Sequence, residues 1–309
     1  MNHGLDKAIA SPECGPIRPV TDVVCELGES PVWDERRAEL FWCDIPAGKI
    51  WRHAPSTGQT SCMQFDDTIG CLGLCESGRL IVACGMDVLI VDPDGGDITP
   101  VHKLEKPDFP CRLNDGRVGP DGAFWVGTLH EVGFEDMKPI AALWRFTADR
   151  AEQVVGGIKC SNGLAFSADG KMMLRSDSVG LWVRKHAFDD STGTIDEGRI
   201  ICRPGEADGR PDGASMDMDG TYWSAGVSAG VLNGYKLDGS LNQRLELPVP
   251  HPTMPCFGGE DFKTLYLSSH RRSMSEAELV KSPLSGRLLS IEMQRPGFAS
   301  PRFKDGDIL

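Results

Sequence analysis

Residues 121–128 read Asp-Gly-Ala-Phe-Trp-Val-Gly-Thr, a tight turn followed at once by a short apolar run. An Asp-Gly pair suits a hairpin turn because its residues tolerate the positive φ that such a turn needs. The run that follows is rich in aromatic and β-branched residues, which are typical of strands. We therefore interpret this stretch as the turn and the second strand of a β-hairpin.

The same combination of turn and apolar strand occurs five more times along the chain. Successive turns lie roughly 40–50 residues apart, which is the length of a four-stranded propeller blade. Six repeats fill the chain from about residue 25 to about residue 295. Six blades close into a ring and leave no long exposed sheet edge, so the sequence predicts an all-β fold, a six-bladed β-propeller. The other turns are Arg36-Arg37, Ser77-Gly78, Asp169-Gly170, Asp219-Gly220 and Asp261-Phe262.

The even spacing also sets the expected domain organisation. We expect residues 1–17 to be a loose N-terminal leader and residues 18–309 to form one propeller domain, with a strand near residues 20–27 pairing in the last blade to close the ring. A β-sandwich or two smaller β domains are the alternatives, but no linker-like change of composition divides the chain. Helical periodicity is confined to residues 273–279 (SMSEAEL).

Composition and charge narrow the functional classes. A net charge of −13 disfavours binding to nucleic acid or to an anionic membrane, since both are negatively charged. The apolar runs fall far short of a membrane helix and no secretory signal is present, so we expect a cytoplasmic protein that is a monomer or a weak homo-oligomer. The eleven cysteines contain no CxxC pair and are interpreted as buried apolar residues, with neither disulfides nor a zinc–thiolate site.

One position in the repeat carries polar residues in four of the six blades. It lies seven residues before each turn and begins the innermost strand, so in a propeller its six copies meet at one mouth of the central channel. Two carboxylates and two amides suit a hard divalent cation such as Ca²⁺, Mg²⁺ or Mn²⁺, and Zn²⁺ or Fe²⁺ also remain possible. The alternative is that Asn and Asp only help to start each strand. The six residues are Glu29, Gly70, Asn114, Asn162, Asp212 and Met254.

Other polar residues are predicted close to this ring. Arg112 lies two residues before Asn114, so both side chains point the same way in an extended strand. Arg112 is a candidate for binding a substrate carbonyl or hydroxyl, with a surface ion pair as the alternative. His130 and Asp177 follow second strands and are candidates for contacting substrate. The alternatives are a structural histidine and a strand-end turn residue. Surface roles are expected for most of the remaining candidates, His251, His270 and Arg271.

Five segments in a fixed order resemble a known family. They are residues 28–33 (GESPVW), 112–116 (RLNDG), 161–165 (SNGLA), 211–213 (PDG) and 256–259 (CFGG). Together they resemble the gluconolactonase / senescence-marker-protein (regucalcin-like) family, and in particular its bacterial sugar-acid lactonase branch, over roughly residues 20–295. The resemblance implies a six-bladed propeller with one catalytic divalent metal in its channel.

The resemblance also implies roles for individual residues. Glu29, Asn162 and Asp212 would bind the metal, and Arg112 and Asn114 would contact the substrate. Asp212 is at the same time the candidate general base, with metal-bound water as the alternative. The implied reaction is metal-dependent hydrolysis of a sugar-acid lactone, a pentono- or hexonolactone, to the aldonic acid in sugar catabolism.

Two departures from the family pattern concern the choice of sugar. Arg175 stands where the family often has an aromatic residue, and His130-Glu131 stand near the place where some members have an acidic residue. In the implied site Arg112, His130 and Asp177 would recognise the sugar hydroxyls. Two other functions stay open. One is a metal-dependent esterase or organophosphate hydrolase on the same propeller, and the other is a non-catalytic metal-binding propeller.

Overall fold

A computed structural model of the protein describes residues 9–306 and residue 308. Its strands form six sheets of four or five strands, and the innermost strands pack side by side in a closed ring. The predicted six-bladed β-propeller is therefore confirmed. All pairings between these strands are antiparallel except that of the last short strand. Within the described residues, no helix is long and apolar enough to cross a membrane.

Each blade begins with its innermost strand and runs outward. A short strand, β1 (Arg18–Pro19), comes before blade 1. Blade 1 is formed by β2 (Gly28–Asp34), β3 (Glu39–Asp44), β4 (Lys49–Ala54) and β5 (Gln59–Gln64). Blade 2 is formed by β6 (Ile69–Cys75), β7 (Leu80–Cys84), β8 (Asp87–Val91) and β9 (Ile98–Lys103). Blade 3 is formed by β10 (Cys111–Val118), β11 (Phe124–His130), β12 (Ala141–Phe146) and β13 (Ala151–Ile158).

The second half of the chain repeats the arrangement. Blade 4 is formed by β14 (Ser161–Phe166), β15 (Met172–Asp177), β16 (Trp182–Asp189), β17 (Thr194–Ile195) and β18 (Arg199–Cys202). Blade 5 is formed by β19 (Pro211–Met216), β20 (Tyr222–Gly226), β21 (Val231–Tyr235) and β22 (Leu241–Glu246). Blade 6 is formed by β23 (Pro252–Gly258), β24 (Thr264–Ser269) and β25 (Leu289–Glu292). The last strand is β26 (Arg302–Phe303), which lies beside β6.

The ring is closed by the N-terminal part of the chain, within the last blade as predicted. Strand β1 pairs with β25 and forms the outer edge of blade 6. The paired residues Arg18 and Pro19 come slightly before the predicted residues 20–27. The reason is geometric: β1 is an outermost strand and β2 an innermost one, so the residues between them must cross from the rim to the axis.

The predicted leader lies only partly within the described residues. Residues 1–8 are outside them. Ala10 forms an isolated bridge to Gln243 of blade 5, and Cys14 forms one to Met293 beside blade 6. The division of the chain into a leader and a propeller domain stays a prediction.

Six apolar clusters fill the six gaps between neighbouring blades. Between blades 3 and 4, for example, Trp125 packs with Phe166 and Phe188. Between blades 6 and 1, Trp33 stacks on Tyr266 with ring centroids 5.8 Å apart. Because protein interiors are close-packed, each blade is held by both of its neighbours, and the inner strands form a rigid frame.

Every innermost strand has a bulge at the same place, directly at the polar ring position. The pairing register shifts after Glu29 in blade 1, after Asn162 in blade 4 and after Pro211 in blade 5, and equivalent shifts occur in the other three blades. Two bulge residues, Ser30 and Gly163, have φ of 50° and 63°. A bulge redirects side chains out of the normal alternation. Its repetition explains how side chains of one register converge on the axis.

The C-terminal strap, residues 295–304, covers the opposite end of the channel. Pro296 accepts a hydrogen bond from the Met218 amide of blade 5, and Gly297 donates one to Phe262 of blade 6. Ser300 and Pro301 line the cavities of the lower channel, and β26 continues onto blade 2. The polar ring therefore lies at the mouth that the strap leaves open.

The short helix is present but begins later than predicted. Helix α1 (Glu276–Lys281) starts after Ser275, whose hydroxyl accepts a hydrogen bond from the Glu278 amide while the Glu278 carboxylate accepts one from the Ser275 amide. This capping box fixes the first turn of the helix at Glu276. All eleven cysteines are free thiols.

Candidate functional site

The six equivalent positions meet at the open mouth of the channel. Glu29, Asn114 and Asn162 are buried, and Asp212 keeps part of its surface accessible. The two positions without a donor have steric roles. At Gly70 a Cβ would lie 2.4 Å from the Leu113 carbonyl oxygen, so only glycine fits there. Met254 packs against Gly213 of the neighbouring blade.

A chain of hydrogen bonds links polar side chains of blades 3 and 4 to the backbone of blade 5. The Arg112 guanidinium donates to Asn114 Oδ1 (2.8 Å), and Asn114 Nδ2 donates to Asn162 Oδ1 (3.1 Å). Asn162 Nδ2 donates to the hydroxyl of Ser178 (2.7 Å), which donates to the carbonyl of Pro211 (2.6 Å). The chain ends at the residue before Asp212 and fixes the amide oxygen of Asn162 on the side facing Asn114.

Three carboxylates lie close together beside this chain. Burial and the charges of Asp212 and Asp115 raise the pKa of Glu29 well above its usual value. Burial and the charge of Asp115 raise the pKa of Asp212 to about 8, although Arg210 opposes this. Burial also raises the pKa of Asp115 to about 6. The neighbouring arginines therefore do not compensate the negative charge that the three ionised groups would carry.

These donors fit a divalent cation. A cation at the ring would remove the repulsion between Glu29 and Asp212. Asn162 Oδ1 is a third oxygen donor, and its amide is oriented by the bond from Nδ2 to Ser178. Asp115 Oδ1 is buried and has no hydrogen-bond partner among the described residues. No group of three or more His, Cys, Asp and Glu side chains with metal-binding geometry occurs in residues 9–306, so amide oxygen would have to be part of any such site.

Asp115 was not predicted as part of the site. In a regular strand it would point away from Asn114, because successive side chains alternate. The register shift between Leu113 and Gly116 changes this, and the carboxylate turns towards blade 4, where Oδ2 accepts a hydrogen bond from the Leu164 amide (3.0 Å). The Asn-Asp-Gly sequence was visible, but a bulge cannot be located from it.

The raised pKa values predict how the stability of metal-free protein depends on pH. A carboxyl group has a pKa near 4 in the unfolded chain. Because the folded-state pKa of Asp212 is about 8, the native state binds more protons between about pH 4 and pH 8. The contribution of Asp212 to the free energy of unfolding therefore falls as pH rises through that window. We expect the Tm of chelated wild type to decline from pH 5 to pH 8 more steeply than that of Asp212→Asn, and parallel curves would contradict this assignment.

Arg112 forms the ion pair that is its alternative role and also bonds to a ring residue, while its contact with substrate stays a prediction. Its Nη1 bonds to Asn114 within the mouth, and its Nε donates to the half-exposed Glu131 carboxylate at 3.1 Å. This ion pair holds the guanidinium over the ring. The neighbouring His130 is buried, accepts a hydrogen bond from the Lys138 amide through Nδ1 (3.2 Å) and packs against the edge of Phe109. His130 therefore lies at the rim of the mouth, outside the hydrogen-bond chain.

The contacts of Asp177 favour its structural alternative. Both carboxylate oxygens accept backbone N–H bonds at the end of β15, from Lys159, Cys160, Val179 and Gly180, at 2.8 to 3.2 Å. A carboxylate with so many backbone donors closes the turns around it. The structure does not bring it into contact with the ring residues.

Arg175, which departs from the family pattern, points elsewhere. Its guanidinium stacks over Trp182 at 5.0 Å and donates to Nε2 of His186 at 3.1 Å, both within blade 4. Burial lowers the pKa of Arg175 to about 10. The expected influence of this arginine on substrate choice therefore has no direct contact to support it.

Ser178 offers a test of how the Asn162 amide is oriented. Ser178→Ala removes the hydroxyl that fixes the Asn162 amide, and losing such a supporting contact typically weakens metal affinity about tenfold or more. Titration calorimetry with a divalent cation measures the change. Ser224→Ala is the matched control, because Ser224 is also buried but its hydroxyl has no hydrogen-bond partner among the described residues. Equal affinity of both variants and wild type would show that Ser178 does not position the ligand.

Fold and site together define a six-bladed propeller with oxygen donors around one open mouth, and comparison with known proteins gives the family. The SMP-30/Gluconolactonase/LRE-like region matches residues 27–271. Among curated proteins, 6-deoxy-6-sulfogluconolactonase of Pseudomonas putida is 38% identical over 90% of this chain and 94% of its own length. Regucalcin of Danio rerio is 33% identical over 84% of this chain and 88% of its own length.

A solved structure has the same architecture. The calcium-binding protein regucalcin from Agrobacterium tumefaciens superimposes with a TM-score of 0.90 at 22% identity, covering 96% of this chain and all of that one. At this level of identity the match supports the fold. The chain belongs to the SMP-30/gluconolactonase/LRE-like family, and the resemblance found in its sequence is confirmed.

Proposed function

We propose that this protein hydrolyses a sugar-acid lactone, a pentono- or hexonolactone, to the aldonic acid with the help of one divalent cation. Glu29, Asn162 and Asp212 would hold the cation, and Arg112 and Asn114 would contact the lactone. The observation that carries the proposal is the convergence of two uncompensated carboxylates and an oriented amide oxygen at the open mouth, directly beside Arg112.

The coarser part of this function follows from the family. A family match over most of the chain and a lactonase relative at 38% identity confirm the prediction of a lactone hydrolase. The name of that relative gives it a sulfonated gluconolactone as substrate. The sugar and the metal used by this chain belong to the proposal.

The residues of the mouth have the chemistry that lactone opening needs. A divalent cation held by the three donors would supply Lewis-acid polarisation of the lactone carbonyl. Asp212, or water bound to the cation, would take a proton from the attacking water, and the proton would return to the ring oxygen that leaves. The described bonds of Arg112 use Nε and Nη1, so Nη2 remains to stabilise charge on the carbonyl oxygen.

Recognition of the sugar is assigned to the rim. His130 is a candidate for binding a hydroxyl through Nε2, since Nδ1 is occupied by the Lys138 amide. Asp177 was a candidate for the same task, but its contacts give it the role of shaping the end of blade 4. The polar rim favours a sugar over the aryl ester or organophosphate of the alternative hydrolase, because those substrates need an apolar mouth.

The decisive experiment is lactone hydrolysis followed by a pH indicator. Metal-stripped protein is tested against pentono- and hexonolactones with Fe²⁺, Zn²⁺, Mn²⁺, Mg²⁺ and Ca²⁺ added back singly. Metal-dependent turnover with a clear sugar preference is the expected result. Turnover of aryl esters alone would favour the other hydrolase, and metal binding without any turnover would favour a non-catalytic propeller.

The cellular setting of the enzyme is part of the same proposal. A net charge of −13 and free thiols suit a reducing cytoplasm and a small-molecule substrate, without nucleic acid or membrane as partner. We expect a monomer or a weak homo-oligomer, which sedimentation of the purified protein would check.

A further inference from the structure

Arg210 stands at the open mouth immediately before β19 and two residues before Asp212. Its guanidinium lies over the ring of Phe134 at 4.6 Å, a cation–π contact that holds it above blade 5. Its carbonyl accepts a hydrogen bond from the Val227 amide (3.0 Å), and the Val227 carbonyl lies 2.9 Å from Nδ1 of His251, which stacks on His270. Arg210 therefore lies between Asp212 at the polar ring position and the rim of blade 6.

The donor capacity of Arg210 is not used up within the protein. Its Nε is buried and has no hydrogen-bond partner among the described residues. Asp208, the acidic residue closest before it in the chain, is paired with Arg244. Across the mouth, Glu131 is paired with Arg112. A buried N–H without an acceptor is costly, and such a group in a native mouth is suited to a ligand atom.

Two histidines of blade 6 complete this part of the rim. The His251 and His270 rings are stacked in parallel, with centroids 4.5 Å apart and planes 3° apart. His251 Nδ1 lies 2.9 Å from the Val227 carbonyl, whereas His270 Nδ1 is buried without a partner among the described residues. Burial and the charges of His251, Arg210 and Arg272 lower the pKa of His270 to about 3, so it is a neutral ring at physiological pH.

The connection between β11 and β12 brings Phe134 to this place. It leaves blade 3 after His130 and passes over the end of blade 4, where Val132 and Met137 pack in a small cluster with Val179. Phe134 then reaches Arg210 of blade 5. One face of the guanidinium is therefore covered by the Phe134 ring.

We infer that Arg210 and His270 form a subsite for an anionic group on the substrate, at the end of the sugar remote from the lactone carbonyl. The inference rests on the proposed lactonase function and narrows its substrate class to lactones that carry a second acidic group. A sulfonate, a phosphate ester or a carboxylate offers the two oxygens that a guanidinium binds side by side, and a neutral hydroxymethyl group does not.

The location of the subsite allows the anionic end of the substrate and its lactone carbonyl to bind at different places. The lactone carbonyl must reach Glu29, Asn162 and Asp212 on the axis. Arg210 lies two residues before Asp212 at the start of β19, so one substrate could be held at both ends.

The test compares pairs of lactones that differ in one substituent. Glucono-lactone serves as the neutral substrate, and gluconolactones bearing a 6-sulfonate, a 6-phosphate or a 6-carboxylate serve as anionic ones. For wild type we expect at least one anionic lactone to have a kcat/KM about tenfold or more above that of the neutral lactone, the factor of one charge-assisted hydrogen bond. Which of the three is preferred identifies the acidic group.

Arg210→Gln should reduce the ratio of anionic to neutral kcat/KM about tenfold, and Arg210→Lys should restore part of it. Arg203→Gln, which removes an exposed arginine of the same connection, is the matched control and should leave the ratio as in wild type. His270→Phe keeps the stacked ring but removes its nitrogens, and it should lower the same ratio. Because the ratio is taken within one variant, a general loss of activity or of folded protein does not affect it.

A binding measurement gives a second readout. In calorimetry, the 6-substituted aldonate products should bind wild type more tightly than gluconate, and Arg210→Gln should remove the difference. Equal ratios in wild type and Arg210→Gln, with active enzyme, would overturn the subsite while leaving the lactonase function intact. Absence of turnover for every lactone with every metal would instead overturn the proposed function itself.

Discussion

Asp212→Asn lowers kcat for lactone hydrolysis about a thousandfold, the range expected for loss of a general base, while the propeller stays folded. The substitution removes both a cation ligand and the proton acceptor next to the open mouth. It should not weaken the metal-free fold, because the pKa of Asp212 is raised to about 8, which shows that the charged carboxylate is unfavourable there. The Tm of chelated Asp212→Asn at pH 8 should therefore equal or exceed that of wild type.

The matched control is Asp219→Asn in the same blade. Asp219 lies in an exposed ion pair with Arg295, and surface pairs of this kind contribute little to stability. Its kcat and Tm should stay close to wild type. If Asp212→Asn keeps wild-type turnover, both roles assigned to Asp212 are wrong, and the base must be sought elsewhere in the mouth.

Removal of the cation should be the second large effect. Chelated protein should lose hydrolysis to the detection limit and regain it when the preferred metal is returned. A cation at a thousand times its Kd stabilises the native state by about 4 kcal/mol, so the Tm should rise by several degrees on addition. Glu29→Gln should abolish most of this rise, because it replaces a charged ligand by a neutral one.

Glu152→Gln, on the outer strand of blade 3, controls for the loss of a negative charge. Its side chain is exposed and paired with Arg150 at the surface. Full activity of thoroughly chelated wild type, with the metal content checked by mass spectrometry, would contradict a metal-dependent reaction. A normal metal-induced rise in Tm for Glu29→Gln would remove Glu29 from the ligand set.

The fold was predictable because its determinants are local. Asp-Gly turns and the apolar strands after them recur at nearly equal spacing, and spacing is read directly from a sequence. The ring position was also accessible, because pseudo-symmetry makes Glu29, Asn114, Asn162 and Asp212 equivalent. Their metal-binding roles remain predictions.

Other parts of the mouth depend on tertiary structure and were not predictable in the same way. Asp115 turns towards blade 4 only because of a bulge. Asp177 resembles a site residue in sequence, but it is surrounded by backbone donors from segments on either side of β15. No sequence motif indicates a role for Arg210. Its position is known only from the tertiary structure, in which Phe134, far away in the chain, lies against it.

Among the described residues, the strap at residues 295–304 covers one end of the channel and leaves the other end open. Substrate enters and product leaves through the same opening, so a bound product blocks the entry of the next substrate. Accumulated aldonate should therefore compete directly with fresh lactone, and the progress curve should slow before the lactone is exhausted. An enzyme with a channel covered at one end works best where the next metabolic reaction keeps the concentration of its product low.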